Sequence, residues 1–297
     1  MTTLVWSSSL NATTTADFRA NGSNLSSRFA SIGLIQTSDT GQINWTTVTS
    51  PGQGLFAGYE IWRFSDSSVF IRIDYGCSST SVSALGLALR LSVGSGSNGS
   101  GTLTGATVTD ATTWGTGGTS PSMGNFFSYM VLTPTFFAFF GWKNARNDGI
   151  WAGMAIAKTT DANGNANNVG VVVYWGGVSN TSGNSRFPNA ACLNFQTNVA
   201  SNTIVDGQFC VVPQNITSSV VDTDTQCFAH WGAFPRVYPT TQVCSVLRSE
   251  TPALSTFTTT IVGTTPRRYL ILDDTYYGAI NDGVNNLCTY RLAILWE

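Results

Sequence analysis

The chain has 297 residues, enough for one large domain or two modest ones with a sizeable buried core. Only 10% of them are charged, the formal net charge is −2, and the only lysines are Lys143 and Lys158, which excludes a nucleic-acid binder that must displace counterions from phosphates. A 42% hydrophobic and 12% aromatic share excludes intrinsic disorder.

In place of charge stand 30 Gly, 32 Ser, 40 Thr and 22 Asn. With abundant Val, Ile and aromatics, that composition points to a mainly β chain. Met1 is followed by Thr2-Thr3-Leu4-Val5-Trp6, with neither a basic stretch nor a continuous apolar one, so no secretory signal is expected. No apolar run is long enough for a membrane span. A Ser/Thr-rich start frays unless something packs on it, and a partner subunit is the expected cover.

Residues 14–33 carry helical periodicity. Phe18, Leu25, Phe29 and Ile32 line one face, Thr14 and Asp17 have capping-box spacing, and Gly33 is placed to end the helix. Gly22 and several serines make it weak alone, so it needs a surface to dock on. Residues 1–50 are therefore expected to form a docking arm, with Phe18, Leu25, Phe29 and Ile32 as its assembly face. Extended segments follow at Leu34–Thr37 and Ile43–Val48, around a turn at Ser38–Gly41, with a linker at Pro51–Gly54.

Residues 56–297 read as short strands and polar turns. Tyr59–Phe64 and Val69–Tyr75 form a hairpin-like pair, the second with Val69, Ile71, Ile73 and Tyr75 on one face and Arg72 and Asp74 on the other. Ala84–Val93 leads into a Gly/Ser loop at 94–101. Strands follow at Phe126–Leu132, Thr135–Trp142, Ile150–Ala157, Val169–Trp175, Ile204–Val212, Val243–Leu247, Thr256–Val262, Arg268–Leu272 and Leu287–Trp296. The expected body is an antiparallel β-sandwich or jelly-roll-like fold. No fixed-period repeat argues for a propeller or solenoid.

Motifs that could carry chemistry mostly dissolve on inspection. Gly94-x-Gly96-x-x-Gly99 is followed by Thr102-Leu103-Thr104-Gly105, with no helix to hold a pyrophosphate, so it reads as a hairpin loop. Asp39-Thr40-Gly41 occurs once, whereas aspartic-protease chemistry needs two such carboxylates. His230 is the sole histidine and has no Gly-x-Ser-x-Gly elbow to serve. Asp161, Asn163, Asn165 and Asn167 alternate like calcium ligands, but Ala166 and Val172 stand where an EF-hand needs Gly and Glu.

Paired acids for glycoside hydrolysis would have to come from Glu60, Asp66, Asp74, Asp273 and Asp274. Six cysteines (Cys77, Cys192, Cys210, Cys227, Cys244 and Cys288) lack metal-binding spacing and read as reduced core thiols, with bridges between them the alternative. No metal or cofactor is called for. Among nine tryptophans, Trp114, Trp151 and Trp231 lie beside polar or Gly-rich turns and are candidate glycan or subunit contacts, core packing being the default use.

Three stretches carry a resemblance: Ala16–Arg19 through Asp39–Trp45, then Gly58–Phe64, then Val69–Gly76 with the 94–101 loop. Together they resemble a group of uncharacterised tailed-bacteriophage virion proteins, tail or baseplate associated, over roughly the first third of the chain. The resemblance carries no catalytic motif and transfers no site residue. It implies a non-enzymatic structural subunit made in the host cytoplasm, kept reduced there, and partnered by its own copies and other virion proteins. On that expectation, removing residues 1–34 leaves a folded body that no longer assembles. The alternatives are a carbohydrate- or receptor-binding module for host surface glycans, a capsid decoration protein, and a glycan-degrading enzyme with two acids in one cleft.

Overall fold

The computed structural model of the chain describes residues 1–77, 85–109, 125–143, 150–160, 166–177, 189–194, 199–201, 228–233, 238–247, 256–259, 267–271 and 290–296. In chain order its elements are β1 (Thr2–Ser9), α1 (Thr15–Ile32), β2 (Ile35–Gln36), β3 (Phe56–Arg63), β4 (Phe70–Cys77), β5 (Leu87–Ser97) and β6 (Leu103–Thr109). Then come β7 (Asn125–Thr133), β8 (Phe136–Lys143), β9 (Ile150–Thr160), β10 (Ala166–Gly177), β11 (Asn189–Asn194) and β12 (Val199–Ser201). The last group is β13 (Phe228–Ala233), β14 (Tyr238–Leu247), β15 (Thr256–Thr259), β16 (Arg267–Ile271) and β17 (Tyr290–Leu295).

All pairings between these strands are antiparallel and build three sheets. The first has the order β2-β3-β4-β5-β6, the second β1-β7-β8-β9-β10-β11-β12, and the third β13-β14-β17-β16-β15. The mainly β, sandwich-like body that the sequence announces is what forms, with α1 the single helix among the described residues. Its first two sheets run as meanders, each strand beside its sequence neighbour, with β1 added at one edge. The expected strand at Ile204–Val212 lies outside the described residues.

The helix forms where its caps say it should. Thr14 is extended (φ −108°, ψ 160°), and its hydroxyl accepts from the Asp17 backbone N–H while donating to the Asp17 carboxylate. At the other end Gly33 takes φ 111°, which a side chain would resist. Its N–H meets the Ala30 carbonyl and the Leu34 N–H reaches back to Phe29, a Schellman closure.

What α1 docks on corrects the expectation of an arm. Phe18, Leu25, Phe29 and Ile32 are buried in this chain's own core, not presented to a partner. Phe29 shows why: its ring lies 5.9 Å from Trp62 of β3, 6.3 Å from Phe137 and 5.9 Å from Phe139 of β8. One side chain thus touches both the five-stranded sheet that contains β4 and the seven-stranded sheet. The helix is the filling between those two sheets, and an apolar stripe of this kind is buried by whichever surface lies nearest.

The N-terminal segment is ordered in the same way. β1 pairs along its length with β7, from Thr2 opposite Leu132 to Ser9 opposite Asn125, so this chain's own sheet supplies the cover expected of a partner subunit. Leu4, Trp6, Met130, Leu132, Phe137, Phe139, Met154 and Ile156 turn toward α1, and Trp6 stacks on Phe139 at 6.0 Å. The opposite face of this sheet carries Val131, Phe136, Ala138, Ala155 and Ala157, all buried, and is covered from the third sheet. There β14 lies against β9, and Trp296 meets Tyr129 edge-on at 5.9 Å.

β4 alternates as its sequence says, with Ile71, Ile73 and Tyr75 in the core and Arg72 half-buried on the other face. The segment Ile43–Val48 departs from the expected extension. The Asn44 carboxamide oxygen accepts from Thr46, and the Asn44 backbone carbonyl accepts from the Thr47 and Val48 N–H groups, which closes a turn. That turn swings Trp45 under the helix, against Phe18 at 5.7 Å and Tyr75 at 4.9 Å. Gly22 is the matching notch, since a β-carbon there would sit 2.2 Å from the Trp45 ring.

Candidate functional site

The two faces of β3–β4–β5 hold the best-defined polar chemistry among the described residues. On the inner face Glu60 of β3 is 1% exposed. Its Oε1 accepts from Ser26 Oγ of α1 at 2.7 Å and from the Trp45 indole at 2.9 Å. Its Oε2 accepts from Tyr75 Oη at 2.7 Å and from the Trp62 indole at 3.2 Å. Four neutral donors from four segments hold one carboxylate. Burial, then the Glu60 charge beside it, pushes the Tyr75 phenol well above its ordinary value.

On the outer face Asp74 of β4 stands opposite Tyr59 of β3 and Arg90 of β5. Arg72 gives Asp74 Oδ1 two hydrogen bonds, at 2.6 and 3.1 Å, and gives the Gly101 carbonyl a third at 2.5 Å. Arg90 approaches Oδ2 with two nitrogens at 3.3 Å. Each guanidinium lies over a ring, Arg72 at 4.1 Å from the Tyr59 centroid and Arg90 at 4.6 Å from Phe56. One carboxylate and two guanidiniums leave a net positive charge on a half-exposed, aromatic-floored surface. Such a surface can hold a carboxylate or a hydroxyl-rich ring by stacking and paired hydrogen bonds.

Two turns frame this face. Asp39-Thr40-Gly41 is a turn, as its composition suggests, and its carboxylate is tied to the hairpin loop between β5 and β6. Ser97 Oγ and the Gly101 N–H, the latter at 3.1 Å, both donate to Asp39 Oδ2. Burial works to raise the Asp39 carboxyl, and these hydrogen bonds outweigh it, so it sits below the usual carboxylate value. The Gly-rich stretch is strand as far as Ser97. The loop after it is held by Asn98, whose carboxamide oxygen accepts from Ser100 and Thr102. Tyr59 Oη closes the frame on the Thr40 carbonyl at 2.6 Å.

A third ionic contact links two sheets. Lys158 of β9 is 2% exposed, forms an ion pair with Asp66 in the β3–β4 turn, and lies 5.4 Å from the Phe64 ring centroid. Burial raises the Asp66 carboxyl, and hydrogen bonds from Lys158 and Ser68 overcome that and hold it low.

The candidate acids therefore do not converge. Glu60 faces the core, Asp74 the outer surface, and Asp66 a turn, each with its own partners; Asp273 and Asp274 lie outside the described residues. Trp151 stands in β9 and Trp231 at the register shift of β13, but their side chains, and all of Trp114, lie outside the described residues. The calcium-like Asp161, Asn163 and Asn165 lie outside them too. Cys77 is a buried free thiol, pushed up by burial and contacted by Ser50 Oγ at 3.3 Å. Among the described residues no cluster of His, Cys, Asp and Glu could hold a metal ion, and no helix is long and apolar enough to cross a membrane.

Sequence reasoning missed the Glu60 cluster, whose donors Ser26, Trp45 and Tyr75 are far from it in the chain. The one local signal is Trp62, two residues on and on the same strand face. In comparisons with protein-family models, with curated proteins and with solved structures, nothing matches this chain.

Proposed function

We propose that this protein is a structural component of a tailed-phage virion, tail, baseplate or fibre associated, that works through assembly contacts and not through catalysis. One observation carries the reading. The stretches on which the resemblance rests, separate in sequence, fold into a single unit. Ser26, Trp45, Glu60 and Tyr75 share one hydrogen-bonded centre, and Asp39 ties the first stretch to the 94–101 loop. Similarity in those stretches is thus similarity of one packed module. A low-charge, Thr- and Asn-rich chain also suits permanent packing in an assembly.

Peptide mass spectrometry on density-purified particles is the test. A constant copy number of tens or fewer per particle supports a tail position, and hundreds would move it to capsid decoration. Absence from clean particles removes the virion reading.

A second reading, a module that binds host surface glycans, is favoured by the Arg72–Asp74–Arg90 surface over Tyr59 and Phe56. It predicts binding to acidic surface polysaccharide that falls at least about tenfold, the worth of one charged hydrogen bond, in Arg90→Ala.

A further inference from the structure

A sheet ends in strands whose outward N–H and C=O groups lack partners, and proteins keep such edges short, bulge them, charge them or cover them. Among the described residues, five of the six sheet edges are treated in one of those ways. β2, β12 and β15 have only 2, 3 and 4 residues. β6 lies against β11 and β12. β13 carries a register shift between His230 and Gly232 and lies against β11.

β1 is the exception. It is 8 residues long and unbroken in register with β7, and among the described residues no strand pairs with its other side. From Thr2 to Ala16 no side chain is charged and none is proline. At mid-strand Val5 is 56% exposed, with Thr3 and Ser7 exposed on the same face.

We propose that β1 is the homotypic interface of this protein, two copies pairing their β1 strands antiparallel about a two-fold axis and joining their seven-stranded sheets edge to edge. The lack of charge argues for a second copy as occupant. A two-fold strand pair sets the residue on the axis against its own mate and its flanking positions against each other, so like charges near the axis repel the copy, and this edge carries none. Centred on Val5, the pairing places Val5 against Val5 of the partner subunit. Only same-face residues then meet, Thr3 with Ser7 and Leu4 with Trp6, so Leu4 and Trp6 stay on the side covered by α1. Two exposed valines become a buried cross-strand pair and the open backbone groups find partners.

The inference rests on the assembly reading for its biological setting, and solution measurements separate the two. Sedimentation of the full chain over roughly 1–100 µM, a range that spans ordinary dimer affinities, is expected to show a dimer. Val5→Lys sets two ammonium groups on the axis. It is expected to weaken the dimer at least about tenfold and, at dilutions where the wild type is monomeric, to leave the thermal midpoint unchanged, because Val5 is exposed in the single chain. Val5→Thr should remain dimeric.

Hydrogen exchange is the second measurement, and it needs no variant: β1 amides should lose protection on dilution. A wild-type monomer across the range, a Val5→Lys protein as dimeric as wild type, or β1 exchange independent of concentration overturns the interface. A β1 dimer absent from clean particles removes the virion reading and keeps the interface. A particle-borne chain that stays monomeric in solution overturns the interface alone.

Discussion

Glu60 and Asp74 lie on neighbouring strands of one sheet, both almost fully buried, and their charges are met by opposite means. On the inner face Glu60 is met by neutral donors from two indoles, a phenol and a serine. On the outer face Asp74 is met by two guanidiniums whose side chains are 27% and 41% exposed. The difference follows from what each face can supply. Beneath α1 the space is filled by rings, and an indole or phenol brings its donor as part of the apolar packing without a second charge to desolvate. Outside, an arginine lays its stem on an aromatic ring and keeps its head in contact with water. One sheet thus has a closed side that specifies the fold and an open side where a ligand can compete for hydrogen bonds.

Stripping the closed side gives the largest expected effect. Deleting residues 1–34 removes β1 and α1, and with them Trp6, Phe18, Leu25 and Phe29 from the core. No cooperative thermal transition should remain, and a folded truncation would restore the docking-arm picture that the structure corrects. Glu60→Ala comes next. It leaves buried donors without an acceptor and should cost roughly 3–5 kcal/mol by urea denaturation. Asp74→Ala should cost less, about 1–2 kcal/mol, because both arginines can turn to water. Equal costs for the two would erase the distinction between the faces.

The parts of this arrangement set by neighbouring residues were legible in the sequence. The alternation of Ile71, Arg72, Ile73, Asp74 and Tyr75 assigns β4 its faces, and Thr14, Asp17 and Gly33 bracket α1 to within a residue. The surface that Phe29 covers was not legible, because an apolar stripe has the same spacing whether it meets a partner or the chain's own sheets. Nor was the turn at Asn44, where hydrogen bonds to the Asn44 side-chain and backbone oxygens override the β-propensity of Trp45, Thr46, Thr47 and Val48. The Glu60 cluster stayed hidden for a related reason: the donors other than Trp62 come from 34 and 15 residues away, so it exists only after the helix, the turn and two strands have assembled.

Titration sharpens the same contrast at the two ends of the pH scale. The Tyr75 phenol has a raised folded value, so its contribution is complete below about pH 10, the unfolded value, and is lost as pH climbs beyond it. Tyr75→Phe should flatten that alkaline loss while lowering stability at neutral pH by about 1–2 kcal/mol for the missing hydrogen bond to Glu60. The lowered Asp66 carboxyl acts in the other direction. Its stabilisation is present above about pH 4, the unfolded value, and is lost as pH falls through the folded one. In Asp66→Asn, thermal midpoints between pH 2 and 5 should therefore vary less than in wild type, a modest change because the Asp66 side chain is 43% exposed.

The smallest expected effect falls on the open side. Arg90 is more exposed than Arg72, reaches Asp74 only at 3.3 Å, and among the described residues has no carbonyl partner comparable to Gly101. Arg90→Ala should therefore cost no more than about 0.5 kcal/mol, and Arg72→Ala about 1–1.5 kcal/mol. That ordering matters because a residue held loosely by its own fold can turn toward a ligand with little loss. If Arg90→Ala leaves the urea midpoint in place and abolishes binding to acidic polysaccharide, the outer face is a recognition surface laid over a finished fold. If it destabilises the chain as much as Asp74→Ala does, the two arginines and the aspartate are a structural triad, and the two faces differ only in how each satisfies a buried charge.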